Sequence, residues 1–145
     1  MKKNFTLLAL IMMALAVTFV SCTDDDEYEA YTLEGAWEGD MGVMINGYVA
    51  DYSTIYFDKN PYQYASGEGY QVDWYPVGPY EELSFHFYWN IDNGIIHLDY
   101  PGYREDYNAD IYNYSLNNDE FTGYFHIGGE EFRLFKLKDY YWEPY

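Results

Sequence analysis

From residue 33 onward, apolar and polar positions alternate with a period of two, and no segment keeps a helical period. The clearest run is Leu83, Phe85, Phe87, Trp89 and Ile91, interleaved with Ser84, His86, Tyr88 and Asn90. Asn93-Gly94 follows, and this dipeptide favours a two-residue hairpin turn whose residues both take positive φ. A turn there pairs Asp92 with Ile95, Ile91 with Ile96, Trp89 with Leu98 and Phe87 with Tyr100. Apolar residues then oppose apolar residues on a single face.

The same reading predicts eight strands, at about 36–45, 48–57, 64–75, 82–91, 95–100, 107–116, 121–127 and 131–138. Asn46-Gly47 joins the first two. Asn118-Asp119 joins the sixth and seventh, placing Tyr112, Tyr114 and Leu116 opposite Phe125, Gly123 and Phe121. Gly128-Gly129 closes the last hairpin, whose register stays open because Phe132 and Leu134 alternate with Arg133 and Phe135. The expected fold is all-β, an eight-stranded antiparallel up-and-down barrel without free edges. A two-sheet β-sandwich is the alternative.

The first 32 residues differ. Lys2-Lys3 precedes an apolar run from Phe5 to Val20, then Ser21-Cys22 and the acidic Thr23–Glu27. This is the order of a secretory signal peptide, and the run is shorter than the ~20 residues that span a bilayer. Phe19-Val20-Ser21-Cys22 resembles the lipobox of bacterial lipoproteins, with a phenylalanine where leucine is usual. The resemblance implies a leader over 1–21, acylation at Cys22, an acidic tether over 22–32 and one folded domain over 33–145. Cys22 is the sole cysteine, so the domain has no disulfide. Thr23–Glu27 resembles the export signal of surface lipoproteins of Bacteroidota, and equally reads as a plain solvated linker. The implied location is the cell envelope, as an outer-membrane lipoprotein exposed at the surface.

Composition narrows the partners. The formal charge of −18 becomes −20 once Lys2 and Lys3 leave with the leader. Such a chain repels nucleic acid and anionic lipid, so its contact with the membrane is through the acyl chains of Cys22. The 20 tyrosines, nine phenylalanines and four tryptophans argue against disorder and supply contact surface.

Gly35-Ala36-Trp37, on the first of the eight strands, resembles the Gly-x-Trp motif of the lipocalin-like (calycin) superfamily. There the tryptophan plugs one end of the barrel and a basic residue of the last strand packs over it. The resemblance implies that role for Gly35, Trp37 and Arg133. The chain is similar to the small lipocalin-like lipoproteins of Bacteroidota, and lacks the disulfide and C-terminal helix of typical lipocalins.

Catalytic and metal motifs do not emerge. His86 and His97 would stand ~13 Å apart, too far to share a metal. Acid pairs such as Glu81-Glu82 are what 25 acids produce by chance. Gly67-Glu68-Gly69 lacks the third glycine and the helix of a nucleotide loop, and marks a strand kink. The expectation is a non-enzymatic protein without a cofactor, metal or catalytic residue. On the strand at 64–75, Gln71 and Asp73 share a face with Gly67 and Gly69, and that face turns either inward or to water. If inward, Gln71 and Asp73 give a pocket two polar handles among Phe87, Trp89, Tyr112 and Tyr114. The function expected is binding of a small apolar or aromatic ligand. The alternative is a surface module that binds a glycan or a protein partner through exposed rings such as Tyr88, Tyr124 and Tyr140-Tyr141-Trp142.

Overall fold

The computed structural model describes residues 23–102, 108–125 and 131–138. The leader, Cys22, Tyr107, His126, Gly128-Gly129 and the tail tyrosines lie outside the described residues.

The elements are α1 (Thr23–Leu33), β1 (Gly35–Asp40), β2 (Met44–Ile45), β3 (Tyr48–Val49), β4 (Tyr52–Lys59) and β5 (Ser66–Trp74). They continue with β6 (Glu82–Asp92), β7 (Ile95–Asp99), β8 (Ala109–Leu116), β9 (Glu120–Phe125) and β10 (Glu131–Lys136). Eight of the strands form a closed antiparallel barrel in the order β1-β10-β9-β8-β7-β6-β5-β4. β1 pairs with both β10 and β4, so the barrel has no unpaired edge strand. This architecture is compatible with a lipocalin-like fold and excludes the sandwich.

The turn chemistry holds at Asn93-Gly94, where φ is 53° and 70°. Asp92 pairs with Ile95, Ile91 with Ile96 and Trp89 with Leu98, as the alternation required. Asn46-Gly47 also turns with both φ positive, but it closes the separate ribbon β2–β3 rather than a barrel hairpin. The barrel neighbour of β1 is β4, with Trp37 opposite Ile55.

Three expectations need correction. The acidic tether is folded: from Thr23 onward it is α1, which buries Ala30 and Leu33 against the core. Its acidic first turn suits the positive end of a helix dipole. Asp26 also accepts backbone N–H bonds from Asn93 (3.2 Å) and Gly94 (3.1 Å), which ties α1 to the β6–β7 turn. Second, Tyr112 does not face inward. Leu116 pairs with Phe121 as expected, but a bulge between Tyr112 and Ser115 shifts the register, and Asn113 within it has φ 49°. Beyond the bulge Ile111 takes the core position, while Tyr112 stacks on Tyr124 outside at 6.5 Å. Third, Phe132 and Leu134 face inward, which puts Arg133 outside, paired with Glu120 at 3.1 Å.

The cation over Trp37 is Lys136, two residues further along the inward face. Its Nζ lies 4.7 Å from the ring centroid and donates to Thr32 O at 2.7 Å. Trp37 Nε1 donates to Leu33 O at 2.7 Å. Gly35 (φ 113°) leaves room for the lysine stem, because a Cβ there would lie 3.1 Å from Lys136 Cε. Burial draws the Lys136 ammonium below its usual range, against an opposing pull from Glu34.

At this end the interior is a continuous cluster of rings. Phe57 meets Phe87 at 5.4 Å and Trp89 at 5.8 Å, while Phe121 meets Trp37 at 5.8 Å and Phe132 at 4.9 Å. Burying each such side chain contributes ~1.5–3 kcal/mol. The strand order puts α1 and the β4–β5, β6–β7 and β8–β9 connections at this closed end. The β1–β4 and β5–β6 connections lie at the opposite, far end, with the last residues of β7 and β9 and the first residues of β8 and β10.

Candidate functional site

β5 turns its glycine face inward. A Cβ on Gly69 would lie 2.3 Å from Phe87 Cζ and from Tyr56 O, so only glycine lets the Phe87 ring cover the strand. By alternation, Gln71 and Asp73 enter the barrel on the same face, towards the far end. Both are buried, and Asp73 is fully so.

Two donors saturate one oxygen of Asp73. Ser53 Oγ, opposite on β4, donates to Oδ1 at 2.6 Å, and Gln71 Nε2 donates to the same atom at 2.8 Å. Gln71 Oε1 in turn accepts from the Tyr100 hydroxyl at 2.6 Å. Asp73 Oδ2 is buried and accepts no hydrogen bond among the described residues. Aromatic walls adjoin the cluster: the Tyr100 ring lies 5.5 Å from Phe87 and 6.4 Å from Phe85.

Burial pushes the Asp73 carboxyl above its usual range, and the bonds from Ser53 and Gln71 only partly oppose this. Burial, with the charge of Asp73 beside it, pushes the Tyr100 phenol well up, so it remains a donor. A buried carboxyl oxygen without a partner is unfavourable by about 1–3 kcal/mol or more, which a ligand's donor would relieve. The group therefore suits a guest carrying an N–H or O–H, held against apolar ring faces.

No family model, curated protein or solved structure matches this chain. The site must be read from its own residues.

The residues expected to line a pocket divide into three places. Gln71 and Asp73 form the far-end cluster, and Phe87 borders it. Trp89 packs in the closed-end rings and donates from Nε1 to Glu68 O at 3.0 Å. Tyr114 also belongs to the closed end, where its hydroxyl donates to the Glu29 carboxylate of α1 and its ring meets Phe121 at 6.1 Å. Burial, followed by the bond to Glu29, pushes that phenol up strongly. Tyr112 is outside.

Ser53 and Tyr100 were not anticipated as site residues. Alternation with Ile96 and Leu98 carries Tyr100 inward, and alternation with Ile55 and Phe57 does the same for Ser53. What the sequence lacks is the β4–β5 register, since no tight turn joins those strands. Among the described residues, His86 and His97 are paired on the outer wall: His86 Nε2 lies 3.2 Å from Glu68, and His97 Nδ1 lies 2.6 Å from Asp110.

Proposed function

We propose that this is a lipid-anchored cell-envelope protein with a lipocalin-like barrel. It binds a small apolar or aromatic ligand at the far end, with a donor group on Asp73. The observation that carries the reading is the buried Oδ2 of Asp73, unpartnered among the described residues, beside the rings of Phe85, Phe87 and Tyr100.

The leader pattern supports acylation of Cys22, which immediately precedes α1 in the sequence. Since α1 docks at the closed end, an anchor there leaves the ligand end directed away from the membrane. Mature charge near −20 supports attachment by acyl chains rather than by attraction to anionic lipid.

Titration of the protein with indole, tryptamine and naphthalene, read by calorimetry, tests the site. Indole and tryptamine should bind more tightly than naphthalene, which has no donor. Asp73→Asn should weaken tryptamine by about 10–100-fold, the equivalent of ~1.5–3 kcal/mol for a bond to a charged acceptor. Equal affinity of all three compounds, or indifference of tryptamine to Asp73→Asn, would remove the proposal. Incorporation of labelled palmitate that survives Cys22→Ser would refute the anchor.

A further inference from the structure

A concavity lies outside the barrel, at the closed end, away from the Asp73 cluster. It is a groove of about 450 Å³, and among the residues lining it are Asp58, Asn60, Tyr62, Gln63, Glu68 and Tyr88. The β4–β5 loop that forms one rim is held by its own side chains. Asn60 Oδ1 accepts from the Tyr62 N–H at 2.9 Å, and Ser66 Oγ donates to Gln63 Oε1 at 2.6 Å. Lys59, itself buried, donates from Nζ to Gln63 O at 3.3 Å and stands 4.4 Å from the Tyr31 ring centroid of α1. The loop is thus fixed to strand and helix, and it presents Tyr62 with 95% of its surface exposed.

The opposite rim is the outer wall. Tyr88 of β6 pairs across the sheet with Glu68 of β5, and half of its surface remains open. A ring in the sheet, a ring on the loop, two carboxylates and two carboxamides therefore border one groove. The volume falls within the ~300–1,000 Å³ of small-molecule sites.

That set of groups has a specific complement. A tyrosine face offers an apolar, slightly negative surface for C–H groups. Carboxylates accept strong hydrogen bonds from hydroxyls, and carboxamides both donate and accept. A ligand with a C–H face and an edge dense in hydroxyls satisfies both, which describes a pyranose ring. The chain's charge of −18, with Asp58 and Glu68 in the groove against one lining cation, the buried Lys59 whose Nζ is held by Gln63 O, opposes uronic acids and sulfated sugars.

We propose that this groove binds a neutral oligosaccharide through Tyr88 and Tyr62. The site is separate from the Asp73 cluster, and either can fail without the other.

The test is an array of neutral, uronic-acid and sulfated oligosaccharides probed with the full chain, followed by calorimetry on the strongest neutral hit. Binding should be confined to neutral sugars. Tyr88→Ala should weaken it about tenfold or more through lost stacking, and Glu68→Gln several-fold through a weaker acceptor. Tyr124→Ala removes a different exposed ring and should leave affinity within about twofold, as should Asp73→Asn. These side chains are on the surface, and an unchanged melting temperature shows that Tyr88→Ala has not unfolded the barrel. An array without neutral hits overturns the proposal. So does a preference for anionic sugars, or loss of binding in Tyr124→Ala with retention in Tyr88→Ala.

Discussion

Lys136 is the side chain on which closure of the barrel end turns, and its loss can be weighed against that of Arg133. Lys136→Met keeps most of the aliphatic stem and removes the ammonium. Two interactions go with it: the 4.7 Å contact over Trp37 and the 2.7 Å bond to Thr32 O at the C-terminal end of α1. A cation over an indole contributes ~0.5–2 kcal/mol, and a charge-assisted hydrogen bond ~1.5–3 kcal/mol. The ammonium is only half-buried, so the lower halves of these ranges apply, and the desolvation that lowers its pKa offsets part of them, leaving about 1–2 kcal/mol in all. Arg133→Met breaks a solvent-exposed pair with Glu120, for which about 0–1 kcal/mol is the ordinary range.

The assay is urea unfolding at pH 7, followed by tryptophan fluorescence, for wild type and both variants. Lys136→Met should lower the midpoint without changing the slope, because the surface exposed on unfolding is nearly the same. For a domain of about 120 residues the matching fall in melting temperature is roughly 4–8 °C. Arg133→Met should move it by less than about 4 °C. The reasoning is refuted if Arg133→Met costs as much as Lys136→Met, or if Lys136→Met costs under about 0.5 kcal/mol.

Gly69→Ala should destabilise by about 2–3 kcal/mol in the same assay, because the added methyl meets Phe87 Cζ and the Tyr56 carbonyl at 2.3 Å and the backbone cannot yield cheaply; a neutral effect would mean the ring does not lie over this strand. Asp73 carries a raised pKa in the folded state, so the fold binds its proton more tightly than the unfolded chain, and its contribution to stability falls as pH rises from about 4 through the raised value. Relative to Asp73→Asn, wild type should therefore lose stability across that window and run parallel above it; a difference that is constant, or that grows in favour of wild type with pH, contradicts the buried carboxyl. Tyr114→Phe removes the bond to Glu29 and should raise amide exchange in α1 while costing about 1 kcal/mol globally; unchanged exchange would show that this bond does not hold the helix.

Most of the barrel was legible because two kinds of signal agreed. In β6 and β7 the period-2 pattern and the Asn93-Gly94 turn demanded one register, and the strands adopt it. The misreadings arose where one signal was missing. Both faces of β10 carry apolar groups, and only closure against β1 decides that Phe132, Leu134 and Lys136 share the inside. Once that face is known, Lys136 over Trp37 follows from alternation alone. The register shift in β8 was marked by Asn113, a residue that tolerates positive φ inside a strand that otherwise disfavours it. The helix at Thr23–Leu33 is only weakly amphipathic. Its place is fixed by contacts with partners 67 to 104 residues away, which no local pattern reports.

The two ends of the barrel are built by different chemistry, and this bears on where the proposed ligand would sit. At the closed end each polar group named has a partner: Lys136 on Thr32, Trp37 on Leu33, Tyr114 on Glu29 and Asp26 on the Asn93-Gly94 turn. Rings fill the space between them. At the far end the polar groups form a chain, Tyr100 to Gln71 to Asp73, whose last oxygen is buried without a donor among the described residues. The Phe87 ring lies 5.4 Å from Phe57 and 5.5 Å from Tyr100, and so stands between the two regions. The proposed ligand at Asp73 would rest on a floor already packed by the closed-end cluster. Lys136→Met and Asp73→Asn should accordingly separate: the first lowers stability with little change in tryptamine affinity, and the second lowers affinity without loss of stability at neutral pH. A large loss of tryptamine affinity in Lys136→Met, measured well below its unfolding midpoint, would show that the two ends act as one unit.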